Sequence, residues 1–178
     1  GAVASGAVVS NGGVEVVWVG GTASATVVSS GGVENIYGVD SGGTVQAGGR
    51  ANVFAGATAR NMTVSGFETI YSEGVTSNTV ISSGGLVADY GTAVGTVVRS
   101  GGELDVKSGA VASGTVVSTG GVETVFVGGT ANATVVSTGG RENVYGVDSG
   151  GTVQAGGTLY IRSGGTGANT TVSGGETI

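Results

Sequence analysis

Short valine-rich runs alternate with glycine turns along the whole chain. A typical unit has the run TVVS at 26–29, a Ser-Gly-Gly turn, the run VENIY at 33–37 and a further Gly-rich or Asn-rich turn. Runs of four or five β-branched residues bounded by glycine are typical of strands, and no stretch shows helical periodicity. The pattern predicts two strands and two turns per unit, with room for a third short side.

The turns recur at a nearly constant interval. Successive reference positions are 17 or 19 residues apart and average close to 18. The second glycine of each turn falls at Gly13, Gly32, Gly49, Gly66, Gly85, Gly102, Gly121, Gly140, Gly157 and Gly174. Units of this length stack as coils whose equivalent strands lie in parallel, about 4.8 Å apart. We therefore predict an all-β fold, a parallel β-helix or β-solenoid of about ten coils averaging 18 residues.

A longer repeat lies on top of the short one. Residues 1–70 correspond to residues 109–178, an offset of 108 residues or six coils. Within it, residues 25–49 and 133–157 differ only at Ser30/Thr138, Val33/Arg141 and Ile36/Val144. A solenoid tolerates such a duplication because each coil contacts only its neighbours. We expect residues 1–178 to form a single solenoid.

Two positions at fixed distances past each reference glycine form rows of similar side chains along the solenoid, which we call the aliphatic file and the aromatic file. The residue five positions past it is aromatic in seven of nine coils, and the residue before that one is aliphatic except for Asp89. The aromatic members are Trp18, Tyr37, Phe54, Tyr71, Tyr90, Phe126 and Tyr145, with Lys107 and Arg162 in the other two coils. Strand neighbours face opposite ways, so we expect the aliphatic file inside and the aromatic file exposed. Exposed rings can bind sugars or another copy, but cross-strand pairing favours stacking on one another.

Recurrent glutamates resist this scheme. They stand two residues before the aliphatic file, where strict alternation would bury them, at Glu15, Glu34, Glu68, Glu123 and Glu142. Burying an unpaired charge is costly. We therefore expect a bend or bulge between the glutamates and the aliphatic file.

Composition and charge narrow the function. The chain has 40 glycines, no proline, cysteine or histidine, and a net charge of -6. Without cysteine there is no disulfide or thiolate metal site, and the negative charge opposes binding to nucleic acid or anionic membranes. No apolar run approaches the roughly 20 residues of a membrane-spanning helix. Any export signal is expected outside this segment, and no cofactor is expected.

Few residues qualify for catalysis. Asp89 and Asp105 are the only aspartates near equivalent positions of adjacent coils, and we expect them to be solvated or paired, with Lys107 neutralising one of them. The segments 38–43 and 146–151, which contain Asp40 and Asp148, are interpreted as turns instead of calcium sites. Serine lacks a histidine to activate it. We predict that the chain is not an enzyme.

The repeats resemble those of a known family. The sequences TVVSSGGV at 26–33 and VGGTANATVVS at 127–137 are similar to the passenger repeats of AIDA-type self-associating autotransporter adhesins. The resemblance covers nearly the whole chain and joins glycine turns, a Thr-Ala-Ser/Asn linker and valine strands in a fixed order. It implies a right-handed parallel β-helix that is secreted and displayed on a Gram-negative surface. The anchor would be a C-terminal outer-membrane barrel that is absent from this chain. That barrel would be the only part of the protein in a membrane.

The resemblance also implies function and partners. Such passengers mediate adherence, autoaggregation and biofilm formation by self-association or through a host-cell or carbohydrate receptor. A heptosyltransferase modifies several of them on hydroxyls. The matching candidate O-glycosylation acceptors here are Ser10, Ser29, Ser30, Ser82, Ser83, Ser118, Thr119, Ser137 and Thr138.

Other functions stay open at this point. The chain would alternatively be a glycosyltransferase's protein substrate with no direct ligand, or a solenoid that binds or degrades polysaccharide or binds ice. The irregular coil lengths argue against an ice-binding face, and the scarcity of acids argues against polysaccharide cleavage.

Overall fold

Three parallel sheets enclose one core. The computed structural model describes residues 1–173 and 175–177, and in it every coil gives one strand to each of three ten-stranded sheets. Each strand pairs in parallel with the equivalent strand of the next coil. The predicted all-β parallel solenoid of about ten coils is confirmed. Gly174, the last reference glycine, lies outside the described residues.

The sheets are named A, B and C in chain order within a coil. Sheet A contains Val3–Ser5, Thr22–Ser24, Val39–Ser41, Thr58–Arg60, Val75–Ser77, Thr92–Val94, Val111–Ser113, Thr130–Asn132, Val147–Ser149 and Thr166–Ala168. Sheet B contains Val8–Val9, Val27–Val28, Thr44–Val45, Thr63–Val64, Val80–Ile81, Val97–Val98, Val116–Val117, Val135–Val136, Thr152–Val153 and Thr171–Val172. Sheet C contains Val14–Val17, Val33–Ile36, Arg50–Val53, Phe67–Ile70, Leu86–Asp89, Glu103–Val106, Val122–Val125, Arg141–Val144, Thr158–Ile161 and Gly175–Thr177.

Sheet A is the side that the sequence pattern left uncertain. The third short side that the pattern left open is a third strand in each coil, because the segments interpreted as Thr-Ala-Ser/Asn linkers are strands of their own, Thr22–Ser24 and Thr130–Asn132. Their middle residues, Ala23 and Ala131, are fully buried while the flanking residues face outward. Three residues with a small inward side chain give too short an alternation to distinguish a strand from a turn.

The corners explain the two coil lengths. Between sheets A and B every corner has two residues, and its first residue has a positive φ of 53–76°. Among the described residues, the other two corners have four residues, except for two-residue corners at 37–38, 65–66, 90–91 and 145–146. Every shortened corner therefore flanks sheet C. Sheets A and B keep identical spacing throughout.

Glycine occupies the third position of every described four-residue corner except 71–74, where Glu73 takes this position with a φ of 65°. The Gly13 amide donates to the Ser10 carbonyl at 2.7 Å, which closes a β-turn in which Gly12 has a φ of 76°. The Gly12 amide in turn donates to the Gly31 carbonyl of the next coil at 3.0 Å. A left-handed backbone favours glycine, and the turns thereby continue the hydrogen-bond ladder around the corner.

The core is a narrow column of small and aliphatic side chains. Sheet B contributes residues such as Val28 and Val45, and the fourth position of sheet C contributes Ile36, Val53 and Ile70, all fully buried. Along the strand Val33–Ile36, half-buried and buried residues alternate without interruption. The sheet C residues thus face inward as their spacing predicts.

The glutamates also face inward, and the prediction of a bend or bulge is wrong. Glu15 pairs with Glu34 in the same uninterrupted register in which Val17 pairs with Ile36. Glu34, Glu68 and Glu123 are fully buried. The structure accommodates some of them with threonine: the Thr134 hydroxyl donates to Glu123 Oε2 at 3.0 Å. The inward and outward alternation of side chains continues along the strand because the carboxyl groups point into the core.

Candidate interaction surfaces

The first aromatic residues form one continuous stack. Ring centroids are 5.3 Å apart for Trp18 and Tyr37, 4.4 Å for Tyr37 and Phe54, and 4.8 Å for Phe54 and Tyr71. The interplanar angles are 14°, 4° and 2°. These centroid distances lie close to the strand spacing of a sheet, so consecutive coils bring the rings face to face. Each inner ring therefore covers its neighbours' faces and offers mainly its edge to solvent.

The file is less regular beyond Tyr71. Tyr71 and Tyr90 line an open recess together with Ala88 and Thr69. In the next coil Lys107 Nζ lies 3.6 Å from the centre of the Phe126 ring, and Phe126 and Tyr145 are 6.4 Å apart. The lysine thus continues the column through a cation–π contact in place of a ring.

The candidate acceptor hydroxyls occupy two positions of the corner between sheets B and C. Ser29, Ser82, Ser118 and Ser137 open the corner and are half-buried, while Ser10 at the same position is exposed. Ser30, Ser83, Thr119 and Thr138 follow one residue later and are all exposed. The Thr119 hydroxyl donates to the Thr138 carbonyl, and the Thr138 hydroxyl donates to the Ala155 carbonyl, both at 2.7 Å. The second position is thus the more accessible one.

Sequence reasoning missed hydroxyls at equivalent places. Ser100 occupies the second corner position behind Arg99 and is exposed. Three further exposed serines take the matching position in the corner between sheets C and A, at Ser72, Ser108 and Ser163. Aligning the corners by their four-residue length, instead of by the run before them, would have found all four.

The outer surface of sheets A and B is free of charge over nearly its whole length. The first outward position of sheet A alternates strictly between valine and threonine, at Val3, Thr22, Val39, Thr58, Val75, Thr92, Val111, Thr130, Val147 and Thr166. The third position is mostly serine, and the outward position of sheet B is always valine or threonine. Arg60 is the single charged outward residue of these strands in the described chain. We call this surface the neutral flank.

Charged side chains gather on the opposite side. Arg50, Glu103 and Arg141 are exposed on sheet C. Next to them, Lys107 Nζ lies 2.7 Å from Asp105 Oδ2. If two copies of this chain met through sheet C, their charged side chains would face each other. If they met through the neutral flank, few charges would do so.

The structure separates the two aspartates that sequence placed together. Asp89 pairs with Val106 and Ala88 pairs with Asp105, so the two carboxyl groups lie one position apart on opposite strand faces. Asp89 is buried and accepts a 2.8 Å hydrogen bond from the Gly91 amide. Asp105 is on the outside and pairs with Lys107, as expected. The two groups do not form the clustered pair of a glycoside-cleaving site.

The sequence had suggested that Asp40 and Asp148 are turn residues, and this interpretation is wrong. Both are middle residues of sheet A strands, Val39–Ser41 and Val147–Ser149, and both are fully buried. In the described part of the chain, no group of three or more acidic, histidine or cysteine side chains has a geometry suited to a metal ion. Nor do the described residues include a helix that could cross a membrane.

Comparison with known proteins agrees with this architecture. Residues 87–140 match the family described as adhesin of bacterial autotransporter system, probable stalk. A crystal structure of a TibC-catalyzed hyper-glycosylated TibA fragment superposes with a TM-score of 0.59 and 27% identity, over 99% of this chain and 82% of that one. No curated protein sequence matches the chain. These matches support the resemblance predicted from the repeats: residues 87–140 fit the family model of an autotransporter adhesin stalk, and the chain is a β-solenoid similar to the TibA fragment.

Proposed function

We propose that this chain is part of the surface-exposed stalk of a bacterial adhesin and promotes autoaggregation, adherence and biofilm formation by binding a second copy along the neutral flank. The observation that carries the proposal is the regular outer surface of sheets A and B, on which Arg60 is the single charged outward strand residue in the described chain. The family match to an adhesin stalk supports the cellular role.

Electrostatics favour this flank over the others. Each copy carries a net charge of -6, so two copies repel at long range, and least where no charges face each other. Serine or threonine hydroxyls recur there in every coil, and valine methyl groups recur in eight of the ten. Two rods aligned side by side can therefore repeat one weak contact many times, and the repetition raises the overall affinity.

The size of the flank is sufficient for a specific interface. Nine strand spacings of about 4.8 Å and seven residues of about 3.3 Å each give roughly 1,000 Å². A standard interface buries about 800 Å² per partner.

Charge on the flank tests the proposal. We expect Thr92→Glu with Thr130→Glu, both outward on sheet A, to slow the sedimentation of bacteria that display the parent adhesin, because like charges would then meet across the interface. The matched control is Val122→Glu with Thr158→Glu, which adds the same charge to the outer face of sheet C. Surface display and circular dichroism must be equal for both variants. Unchanged clumping in the flank variant would overturn the proposed interface.

We also propose that corner hydroxyls accept O-linked heptose. The similar TibA fragment was hyper-glycosylated by TibC, and the second corner position in this chain carries exposed hydroxyls at Ser30, Ser83 and Thr138. Intact mass after coexpression with the cognate transferase should rise by sugar-sized steps. Substituting these three residues by alanine should remove steps, whereas Thr79→Ser, a change at a buried hydroxyl, should not.

The mass measurement and the clumping assay together distinguish an adhesive segment from a segment that is only a transferase substrate. Sugar addition together with flank-dependent clumping supports both proposals. Sugar addition without any clumping would favour the alternative in which the segment is only a transferase substrate, and an unmodified mass would refute glycosylation.

A further inference from the structure

The interior of the solenoid contains acids but no bases. Seven carboxyl groups are at most 1% exposed, those of Glu34, Asp40, Glu68, Asp89, Glu123, Glu142 and Asp148. Every cation of the described chain lies outside: the five arginines are exposed and Lys107 pairs with Asp105. Buried carboxylates are ordinarily neutralised by a cation. Here none is within the core.

The acids form groups, two of which are copies of one another. Glu15 pairs with Glu34 across adjacent strands of sheet C, and Asp40 follows six residues later on sheet A. Glu123, Glu142 and Asp148 repeat this arrangement 108 residues further along. Residues paired in a parallel ladder are about 4.8 Å apart, so these carboxyl groups cannot all be charged without strong repulsion.

The third group lies between the two copies. Glu68 and Asp89 occupy the second and fourth positions of neighbouring sheet C strands, where Glu68 pairs with Val87 and Ile70 pairs with Asp89. Thr76, Asp89 and Asp40 are near enough to Glu68 to influence its pKa.

The backbone makes room for the two aspartates. The inward residue of the corner between sheets A and B is a threonine in most coils, but it is Gly43 after Asp40 and Gly151 after Asp148. A Cβ atom at Gly43 would lie 2.4 Å from Asp40 Oδ2, and one at Gly151 would lie 2.8 Å from Asp148 Oδ2. Aspartate and glycine therefore replace alanine and threonine together, which indicates a fitted arrangement.

We infer that the folded solenoid keeps these internal carboxyl groups protonated to a higher pH than the unfolded chain does, so that folding takes up protons and acid stabilises the rod.

Burial and mutual repulsion act in the same direction. Burial, reinforced by the charges of Asp40, Glu15 and Glu68, raises the pKa of Glu34 from 4.5 to about 9. Burial likewise raises the pKa of Asp40 to about 6 and that of Glu68 to about 7.

The remaining acids follow the same rule. The pKa values of Asp89 and Glu123 rise to about 7, again mainly through burial, although hydrogen bonds from Gly91 and from Thr134 oppose the rise. Burial also raises the pKa of Glu142, with Glu123 and Asp148 adding to the effect, and that of Asp148.

The sign of the pH dependence follows from these shifts. Below about pH 3 the groups are protonated in both states, and the stability of the rod is at its highest with respect to them. As the pH rises, the unfolded chain releases its protons first, near 4.5 for glutamate and 3.8 for aspartate, and becomes relatively more favourable. The loss grows through the folded pKa values of about 6 to 9 and then levels off.

Denaturation of the chain at several pH values tests the inference. We expect the urea midpoint to fall between about pH 4.5 and pH 9, and to fall less in Glu34→Gln with Glu142→Gln, which keep the side-chain volume but cannot ionise. Glu73→Gln, at an exposed corner glutamate, is the matched control and should retain the full fall. A midpoint that is constant or rises over this range in the unmodified chain would overturn the inference.

A second readout does not depend on how the variants fold. Infrared spectra of the unmodified folded chain at neutral pH should contain the carbonyl stretch of protonated carboxyl groups, and unfolding in urea at the same pH should remove it. Its absence from the folded chain would refute protonation directly.

Discussion

The first residue of the corner between sheets A and B shows how one backbone conformation selects its residues. It is glycine in half of the coils, asparagine in Asn61, Asn78 and Asn169, and alanine in Ala25 and Ala133. All have a positive φ, which is 53° at both alanines. Glycine adopts this region freely and asparagine tolerates it, whereas alanine is strained there.

Replacing the strained alanine should stabilise the fold. An alanine in the left-handed region costs about 1–2 kcal/mol, and the greater freedom of glycine in the unfolded chain offsets about 0.4–1 kcal/mol of the relief. We expect Ala133→Gly to raise the free energy of unfolding by about 0.5–1 kcal/mol, measured by urea denaturation. Ala131→Gly, in the adjacent strand, should lower it. Equal effects of the two variants would contradict the assignment of strain.

At this scale the sequence predicted which residues face inward but not how the acids behave. Period-two alternation placed Ile36 and Val53 correctly in the core. The same rule placed Glu34 there, and a bulge was expected only because a charged carboxylate was assumed. A protonated carboxyl costs far less to bury than a charged one, and protonation depends on neighbours that sequence spacing does not reveal.

At the scale of elements, the pairing of Asp148 with Gly151 can be exchanged for the more common pairing of alanine with threonine. We expect Gly151→Thr alone to destabilise the fold by about 1–3 kcal/mol, because its side chain would collide with the Asp148 carboxyl group. Adding Asp148→Ala should remove most of this loss. Urea denaturation of both single variants and the double variant gives the coupling energy, and additive effects would contradict direct contact.

The aromatic stack offers a second comparison between equivalent elements. Phe54 contacts rings on both sides, at 4.4 and 4.8 Å, whereas Phe126 has one ring neighbour at 6.4 Å and the Lys107 ammonium group. Aromatic pairs contribute about 0.5–1.5 kcal/mol each. We expect Phe54→Ala to lower the free energy of unfolding by at least about 1 kcal/mol more than Phe126→Ala. A larger loss from Phe126→Ala would show that the stack is not stabilising.

Sheet A shows the limit of prediction for elements. Its strands have three residues, too few for a reliable alternation, and their conformation depends on pairing with the coils above and below. The strict alternation of valine and threonine along its outer face becomes visible only when the register is known. For this reason the neutral flank could not be identified from the sequence alone.

At the scale of the whole molecule, coil number, parallel stacking and the six-coil duplication all follow from the spacing of glycines. The two coil lengths argued against the regular flat face of an ice-binding solenoid. The structure confines the variation to corners beside sheet C, which leaves sheets A and B regular. Which corner absorbs two missing residues is decided by packing and not by the repeat length.

Removal of one whole coil should preserve the fold. Deleting residues 111–129 joins Ala110 to Thr130 and brings Glu103 opposite Arg141 and Val106 opposite Val144, an acceptable set of pairs. We expect a cooperative β-sheet protein, shorter by about 4.8 Å in small-angle scattering. Deleting residues 111–119 instead breaks the register and should abolish cooperative unfolding. Loss of folding in the whole-coil variant would contradict the additive behaviour of the coils.

The direction of the ladders has a mechanical consequence. The hydrogen bonds of all three sheets run along the rod, so a pull on its two ends loads the bonds of one coil at a time instead of shearing many together. Each coil that peels away releases 17–19 residues, about 60 Å of extended chain, in place of about 4.8 Å of rod. Under tension, the rod would lengthen in steps and limit the force that reaches whatever holds it.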